Sequence, residues 1–326
     1  MHTRTLGTRS VSALGLGCWA IGGPWHFGDQ EAGWGTVDDQ ESIRAVQAAL
    51  DLGVTVFDTA ANYGAGHSEV VLGRALATRR EEAVIATKFG YAVDEARKEV
   101  GGIEISPADI RASCEASLRR LATDRIDLFQ LHVGDLPLEQ VDGVLESLER
   151  LVAEGLIRAY GWSTDDPERA RRFGRGAHCV SVQHGLNIFE DAPDMLRLCQ
   201  ETGLASINRG PLGMGLLTGT YARGAAFGPS DIRRRGAAWM KPFQDGQPNP
   251  EWLARLETVR GVLTSDGRTL TQGALAWIWA RSPLTVPIPG FRTVAQVREN
   301  AGALQFGPLD ADQMAEIDRL LSSDGA

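Results

Sequence analysis

The sequence is poor in cysteine and has no long apolar run, and each absence excludes a class of protein. Four cysteines occur among 326 residues, and no two have the C-x-x-C spacing of a zinc site or a redox pair. So few cysteines in a chain of this length are typical of reduced, mostly buried thiols in a cytosol. No apolar run approaches the ~20 residues that span a bilayer. We therefore expect a soluble, cytoplasmic protein without a membrane partner.

Basic residues are outnumbered by acidic ones, and the histidines are scattered. Lysine and arginine number 33 against 42 acidic residues, which gives a formal net charge of −9 and a pI of about 5.3. An acidic balance argues against nucleic acid as the main partner. None of the six histidines belongs to an H-x-H or H-E-x-x-H pair, so we expect no metal site.

A repeating pattern predicts the fold. Short apolar runs rich in β-branched residues alternate with longer stretches of helical periodicity. The predicted strands cover residues 12–19, 54–58, 83–88, 126–132, 157–163, 179–185, 204–209 and 284–289. Ser106-Pro107 is typical of a helix start, and Gly155 and Gly203 are typical of helix ends. Eight such units over about 300 residues predict a single α/β domain, a (β/α)8 TIM barrel over residues 1–326, with a doubly wound sheet as the alternative.

Three further segments bear on the fold. Residues 4–12 predict a short N-terminal β-hairpin that closes the barrel floor. The irregular stretch 221–250 follows the seventh strand, and a loop of that length in a compact domain is usually functional or disordered. Gly15, Gly17 and Ala20 match the dinucleotide fingerprint G-x-G-x-x-A. Glycines and a proline follow where that fingerprint requires a helix to begin, so we do not expect a Rossmann site there.

Four titratable residues lie at or just after neighbouring strand ends. Asp58, Lys88 and His132 end the second, third and fourth predicted strands, and Tyr63 lies in the loop after the second. In a barrel these ends converge on one mouth. A nearby ammonium favours the ionised form of a tyrosine, whose ordinary pKa is about 10. A buried lysine in turn needs a carboxylate partner. Each residue taken singly has an ordinary role in capping or packing, but together they predict a general acid beside a slot for a polarised carbonyl.

Several motifs resemble those of the aldo-keto reductase family. The specific ones are "FDTAANYGAGHSE" (57–69), "ATKFG" (86–90) and "DLFQLH" (127–132). "GLGCWAIGG" (15–23), "IRAYGWST" (157–164), "RGPLGMGLLTG" (209–219) and "PIPGFRTVAQVREN" (287–300) agree with them. The similarity runs from about residue 5 to residue 320 and is greatest to a bacterial branch with Arg-Gly-Pro-Leu after strand 7, related to potassium-channel β subunits.

The resemblance implies a reversible reduction of an aldehyde or ketone by a nicotinamide dinucleotide. Tyr63 would be the proton donor, Lys88 and Asp58 would lower its pKa, and His132 would orient the carbonyl. NADP (NADPH) is the implied cofactor, and NAD is the possible alternative. The implied cofactor-binding residues are Trp19, Ser163, Gln183, Arg209, Gly210, Pro211, Leu212, Gly215, Gly290, Arg292, Gln296, Glu299 and Asn300. Among them Ser163 and Gln183 would hold the nicotinamide carboxamide, residues 209–219 would wrap the pyrophosphate, and Arg292 would bind the 2′-phosphate.

Substrate identity is weakly encoded. Trp25 and Phe89 are the predicted substrate-binding residues, within a larger aromatic set near the mouth that favours an apolar or ring-bearing carbonyl compound. Sugars, steroids and small aldehydes remain open, and so does the oligomeric state.

The sequence also departs from the family pattern. Thr164 stands where the family commonly has an asparagine, Arg209 where it has a tyrosine, and Gln296 where it has an arginine. Thr220 stands in place of a common lysine, whose charge Arg233, Arg234 or Arg235 would have to supply. Two alternatives stay open: a nicotinamide-binding sensor or regulatory subunit with little turnover, and a barrel hydrolase that pairs Asp58 with Glu69.

Overall fold

Eight parallel strands follow one another around a barrel in chain order. The computed structural model describes residues 2–228, 230–235 and 239–323. The strands are β1 (Gly15–Gly17), β2 (Val56–Asp58), β3 (Val84–Phe89), β4 (Ile126–Leu131), β5 (Ile157–Ser163), β6 (Cys179–Gly185), β7 (Ala205–Arg209) and β8 (Thr285–Pro287). All eight lie within their predicted segments, except that β3 extends one residue further.

The barrel closes where β1 meets the end of β8. Gly17 forms a parallel bridge with Gly290, and its N–H donates to the Pro289 carbonyl oxygen at 3.0 Å. A Cβ atom at residue 17 would lie 2.9 Å from the Ile288 carbonyl oxygen. Gly17, one of the residues that match the dinucleotide fingerprint, is therefore needed for closure of the barrel.

Ten α-helices surround the strands within the described residues. They are α1 (Asp39–Asp51), α2 (His67–Leu76), α3 (Pro107–Leu121), α4 (Val141–Ala153), α5 (Pro167–Phe173), α6 (Pro193–Thr202), α7 (Pro250–Leu263), α8 (Leu270–Arg281), α9 (Val294–Gly302) and α10 (Ala311–Ser323). Ser106 caps α3 in a capping box with Asp109, and Gly203 ends α6 in the left-handed conformation. Gly155, with φ of +77°, lies two residues beyond the end of α4.

The lower interior of the barrel is apolar. Val56, Val84, Leu128 and Ile207 pack together inside the strands, with Leu6 from the N-terminal hairpin. That hairpin pairs Thr3–Leu6 with Arg9–Ser12 in antiparallel register, as the sequence predicts. The floor is thus filled and covered, which leaves the carboxyl ends of the strands as the open face.

The loops on the open face carry structure of their own. Trp25–Phe27 and Gln30–Ala32, after β1, form a four-stranded sheet with Tyr91–Asp94 and Glu99–Ile103, after β3. The long loop after β7 contains a 3-10 turn at Ile232–Arg235 and two short paired strands, Phe243–Gln244 and Gln247–Pro248. The sequence pattern predicts none of these elements. No helix in the described part of the chain has the length and apolar character that crossing a membrane requires.

Candidate active site

A polar layer lies on top of the apolar interior, at the strand ends. Side chains alternate along a strand, so every second residue points into the barrel. Asp58, Lys88, Gln130 and Gln183 meet there through their side chains, one each from β2, β3, β4 and β6. All four are at most 2% exposed. Buried polar groups on this scale require partners, and this layer provides them from within.

Lys88 is the centre of the layer. Its Nζ donates to Asp58 Oδ1 at 2.5 Å, to the Thr59 carbonyl oxygen at 2.8 Å and to the Tyr63 hydroxyl at 3.2 Å. Burial by itself lowers the pKa of Lys88, but the charge of Asp58 and the contact with Tyr63 outweigh it. The pKa therefore lies above the ordinary 10.5, and the lysine is a charged ammonium.

The second oxygen of Asp58 is held by two amides. Gln183 Nε2 donates to Oδ2 at 2.7 Å and Gln130 Nε2 donates at 3.1 Å. Sequence reasoning missed Gln130, although it lies two residues before His132 and therefore on the same face of the strand. The amide nitrogen of Gln183, assigned by the resemblance to a nicotinamide carboxamide, is directed at Asp58.

Two glycines fix the loop that carries Tyr63. A Cβ atom on Gly64 would lie 1.8 Å from the Gly22 carbonyl oxygen, and one on Gly22 would lie 2.8 Å from the Tyr63 carbonyl carbon. The loops after β1 and β2 therefore touch backbone to backbone. The same contact brings Trp19 over Tyr63, with the two rings stacked at 5.9 Å between centroids and 24° between planes.

Tyr63 is a neutral phenol in this environment. Burial is the largest influence and raises the pKa of Tyr63 above the ordinary 10.0; the Lys88 ammonium lowers it, and Asp58 adds to the rise. The effect of Lys88 has the predicted direction, but the net shift of the pKa is opposite to the prediction. The phenol keeps its proton at neutral pH.

His132 faces Tyr63 across the cleft. Its ring is edge-on to the Tyr63 ring, with 5.9 Å between centroids, and edge-on to Tyr91 at 6.1 Å. Burial, helped by the charges of Lys88 and Arg209, holds the pKa of His132 well below 6.5. The imidazole is neutral at pH 7, so one ring nitrogen donates and the other accepts. Tyr91, from the small sheet, is a cleft residue that sequence reasoning missed.

The ends of β5, β6 and β7 supply the next group. Ser163 pairs in register with Gln183 and is 6% exposed. Thr164, where the family has a common asparagine, donates its hydroxyl to the Gly134 carbonyl oxygen at 2.6 Å and is 2% exposed. Arg209 forms an ion pair with Asp165 and leaves nearly half of its side chain exposed.

The glycine-rich loop after β7 is tightly wound. Gly210, Gly213 and Gly215 all have positive φ angles, and a Cβ atom on Gly210 would meet nothing within 4 Å. The N–H groups of Gly213 and Gly215 donate to carbonyl oxygens within the loop, so they are already paired. Pro211 and Leu212, which belong to the same loop, are buried.

The segment after β8 forms the far end of the open face. Arg292 donates from its guanidinium to the carbonyl oxygens of Trp34, at 3.1 Å, and Thr36. Gln296 accepts the Arg292 N–H at 2.7 Å, and Asn300 donates to the Gly290 carbonyl oxygen at 3.4 Å. Glu299 instead accepts the hydroxyl of Thr269 at the start of α8.

The three consecutive arginines of the long loop, Arg233, Arg234 and Arg235, differ in their surroundings. Arg233 is 9% exposed and donates to Asp231, to Tyr221 and, at 3.4 Å, to the Met214 carbonyl oxygen in the glycine-rich loop. Four aromatic rings enclose its guanidinium, those of Trp34, Tyr221, Phe227 and Phe243. Arg235 pairs with Glu31. Arg233 is therefore next to the glycine-rich loop, but most of its donors are used within the long loop.

Three sequence-based assignments fit the structure poorly. Phe89 is 2% exposed and stacks on Phe129 in the core at 4.5 Å between centroids, because the alternation that points Lys88 inward points Phe89 outward. Trp25 is 6% exposed and packs on Ala65 and Val100. Glu69, the second carboxylate of the hydrolase alternative, is fully buried, and its oxygens accept from Thr87 and Arg120. None of the three is carried further.

Comparison with known proteins decides the family. The Aldo/keto reductase family model matches residues 13–322. The chain belongs to the aldo/keto reductase family. It is 31% identical to the aldo-keto reductase yakc of Schizosaccharomyces pombe, whose name specifies NADP(+), with 95% of this chain and 88% of that protein covered. It is 32% identical to the NADH-specific methylglyoxal reductase of Escherichia coli, with 94% of each covered.

A solved structure agrees. The glycerol dehydrogenase of Gluconobacter oxydans superposes with a TM-score of 0.82 at 32% identity, covering 99% of this chain and 95% of that one. The predicted barrel and the predicted class, an NAD(P)H-dependent aldo-keto reductase, are therefore confirmed. The role of each site residue stays a prediction.

Proposed function

We propose that this aldo-keto reductase reversibly reduces an aldehyde or ketone to an alcohol, with NADPH as the preferred cofactor and Tyr63 as the proton donor. One observation carries the proposal. The Tyr63 hydroxyl lies at the cleft within 3.2 Å of a buried, charged Lys88, which Asp58 holds at 2.5 Å. A phenol in this setting has both a proton to give and a cation to stabilise the phenolate that remains.

The residues divide the chemistry as follows. The bound nicotinamide supplies a hydride to the carbonyl carbon. Tyr63 gives its proton to the carbonyl oxygen, so the product is a neutral alcohol. Lys88 stabilises the phenolate left on Tyr63, and Asp58 keeps Lys88 charged and in place. His132, as a neutral imidazole, donates one N–H to the same oxygen and orients the carbonyl. In the oxidation direction the Tyr63 phenolate takes up the hydroxyl proton of the alcohol, and the hydride leaves the alcohol carbon for the nicotinamide.

The residues present fit a dinucleotide. The indole Nε1 of Trp19 is buried beside Tyr63 and has no partner among the described residues, as is also true of Trp25, Trp34 and Trp277, so a polar ligand at Trp19 would meet a free donor. The open surface at Gly210 allows a pyrophosphate to approach the backbone. Ser163 and Arg209 border the place for the nicotinamide, and Arg292 with α9 borders the place for the adenosine half.

The choice between NADPH and NADH depends on positive charge at the adenosine end. The names of the two relatives point in opposite directions, since one specifies NADP(+) and the other NADH. Arg292 favours NADPH, because a guanidinium matches the oxygens of a 2′-phosphate. It already lies at this end of the open face, held by two carbonyl oxygens that leave other donors for a ligand.

Aromatic rings around the cleft favour an apolar or ring-bearing carbonyl compound. Tyr91 borders His132, and Trp239, which is 59% exposed, lies 6.4 Å from Trp19 between ring centroids. Flat apolar walls of this kind bind rings by stacking. 4-Nitrobenzaldehyde is therefore a suitable first substrate.

The deciding experiment compares two tyrosine variants. Tyr63→Phe is expected to lower kcat for 4-nitrobenzaldehyde by at least ~100-fold, the range of general-acid catalysis, while NADPH binding is retained. Tyr160→Phe is the matched control, because the Tyr160 hydroxyl donates to Glu149 at the outer side of the barrel. Full activity of Tyr63→Phe would show that another group is the acid.

The sensor alternative is separated by counting turnovers. A sensor that binds the nicotinamide would oxidise at most one NADPH per protein chain, whereas the proposed enzyme oxidises many. Excess NADPH and aldehyde, followed through nicotinamide absorbance, distinguish the two.

A further inference from the structure

Asp165 connects three strand ends at the rim of the cleft. It follows β5, accepts the Gly185 N–H from the end of β6 at 2.8 Å through Oδ1, and forms an ion pair with Arg209 at the end of β7 through Oδ2. The backbone bond holds the carboxylate in place independently of the arginine. No role in the proposed reaction requires this acid, so its position needs another explanation.

The Asp165–Arg209 ion pair is exposed to solvent, yet it lies close to the reacting groups. Exposed ion pairs ordinarily contribute little to stability, and here 45% of the Arg209 side chain and 62% of the Asp165 side chain are exposed. The charge of Arg209 nevertheless reaches the reacting groups, since it lowers the pKa of both Tyr63 and His132. The charge of Asp165 acts beside it at His184, whose pKa Arg209 lowers and Asp165 raises, so a group next to the pair feels both charges.

The charge of the nicotinamide changes in the proposed reaction. The ring is cationic when oxidised and neutral when reduced, and under the proposed function it lies beside Arg209. An isolated guanidinium would repel the oxidised ring and leave the reduced ring almost unaffected. A carboxylate fixed beside the guanidinium cancels this difference.

We propose that Asp165 is a positioning residue that neutralises Arg209 and so sets the affinity of the site for the oxidised cofactor relative to the reduced one. This inference rests on the proposed function and assigns to the acid a role in reversibility. Without Asp165 the affinity for NADP(+) would fall, while the affinity for NADPH would change little. Alcohol oxidation, which starts from bound NADP(+), would therefore lose more activity than carbonyl reduction.

The test measures dissociation constants for NADP(+) and NADPH by quenching of tryptophan fluorescence in the full chain. For Asp165→Asn we expect the ratio Kd(NADP(+))/Kd(NADPH) to rise by about three- to tenfold, as for one unit charge near a partly solvated site. Asp166→Asn removes the same charge one residue away, where the side chain caps α5 and pairs with Arg169, and should leave the ratio unchanged.

Two further variants complete a charge cycle. Arg209→Gln leaves Asp165 alone and should lower the ratio below the wild-type value. The double variant Asp165→Asn/Arg209→Gln removes both charges and should restore it. If Asp165→Asn fails to fold, the comparison of Arg209→Gln with the double variant still tests the inference, because the two differ only in the acid. A double variant whose ratio stays at the Arg209→Gln value would overturn it.

The outcomes are distinguishable. Equal loss of affinity for both cofactor forms in Asp165→Asn would mean that the acid only orients Arg209, and the inference would be wrong. The same change of ratio in Asp166→Asn would show a general charge effect and would also overturn it. If the wild-type protein binds neither nucleotide, the proposed function fails as well; if it binds both and the ratio does not move in any variant, only the inference fails.

Discussion

The ammonium of Lys88 donates a hydrogen bond to the hydroxyl of Tyr63 across 3.2 Å. Its other two protons are directed at Asp58 and at the Thr59 carbonyl oxygen, so the three donors have three acceptors. An ammonium satisfied in this way has one orientation, and it fixes the tyrosine hydroxyl with it. Because burial outweighs the lysine charge, the tyrosine keeps its proton, and the lysine acts on the phenolate only after the proton has left.

The pH dependence of kcat follows from the directions in which the pKa values of Tyr63 and His132 are shifted. Reduction needs the protonated form of Tyr63, which is complete below its pKa and is lost as the pH rises through it. That pKa lies above 10.0, and the pKa of His132 lies well below 6.5. We expect kcat for reduction to be flat between these two values, and kcat for alcohol oxidation, which needs the phenolate, to rise with pH.

Steady-state rates at constant ionic strength in both directions test this expectation. A group with a midpoint near pH 7 in the reduction profile would contradict it, because neither Tyr63 nor His132 titrates there in this structure. A reduction rate that increases towards alkaline pH would contradict the assignment of Tyr63 as the acid.

The sequence predicts the barrel well because each strand has a local signal. Apolar β-branched runs followed by amphipathic helices are visible without tertiary information, and all eight strands lie in the expected places. The small sheet over the open face has no such signal. Its strands are only three to five residues long, and they form because two loops from different strands meet.

Some residues of the candidate site are predictable for the same reason. Others are missed or misplaced, because the local pattern does not show which way a side chain points. Asp58, Lys88 and His132 each end an apolar run and so are visible as polar residues in the wrong surroundings. Gln130 is hidden inside its run, and Phe89 looks available until strand alternation places it in the core. The net shift of the Tyr63 pKa also depends on burial, which only the assembled cleft determines.

The backbone contact between Gly22 and Gly64 is expected to control catalysis through the Tyr63 loop. Gly64→Ala places a methyl group 1.8 Å from the Gly22 carbonyl oxygen at a φ of +65°, so the loop must move. We expect kcat to fall at least ~10-fold, because displacement of about 1 Å at a reacting group can cost more than that.

The matched control for this variant is Gly155→Ala. Its φ of +77° imposes the same kind of backbone strain, of about 1–2 kcal/mol, but a Cβ atom there meets nothing within 4 Å. Thermal unfolding and kcat are measured for both. An unchanged kcat in folded Gly64→Ala, or an equal loss in Gly155→Ala, would contradict the role of the contact.

Cofactor preference is expected to depend on Arg292. Arg292→Glu places a negative charge where the 2′-phosphate is proposed to bind, so the Kd for NADPH should rise at least ~10-fold while that for NADH changes less than ~3-fold. Arg298→Glu makes the same charge change at an exposed position of α9 and serves as the control. Fluorescence titration gives both constants. Parallel loss of NADPH and NADH affinity would mean that Arg292 acts by holding the Trp34 and Thr36 carbonyl oxygens rather than by contacting a phosphate.

A substitution at the barrel floor is expected to lower stability without lowering kcat. At the floor, the Asp127 carboxylate is 1% exposed and is surrounded by Arg9 of the hairpin, Arg80 at 2.8 Å and Arg158 at 3.4 Å. It also accepts the Ile85 N–H at 3.0 Å. Asp127→Ala removes this buried acceptor, and the free energy of unfolding should fall by roughly 2–4 kcal/mol, since Arg9 and Arg158 are partly exposed.

Catalysis should survive this loss, because the reacting groups lie at the opposite strand ends. In denaturant titrations Asp127→Ala is compared with Asp124→Ala, whose carboxylate is 85% exposed and whose removal should change stability by less than ~0.5 kcal/mol. At 25 °C, where both remain folded, kcat should stay within about twofold of the wild type in each. A large loss of kcat in folded Asp127→Ala would contradict this expectation. It would mean that the apolar packing of Val56, Val84 and Leu128 transmits a change at the floor to the polar layer.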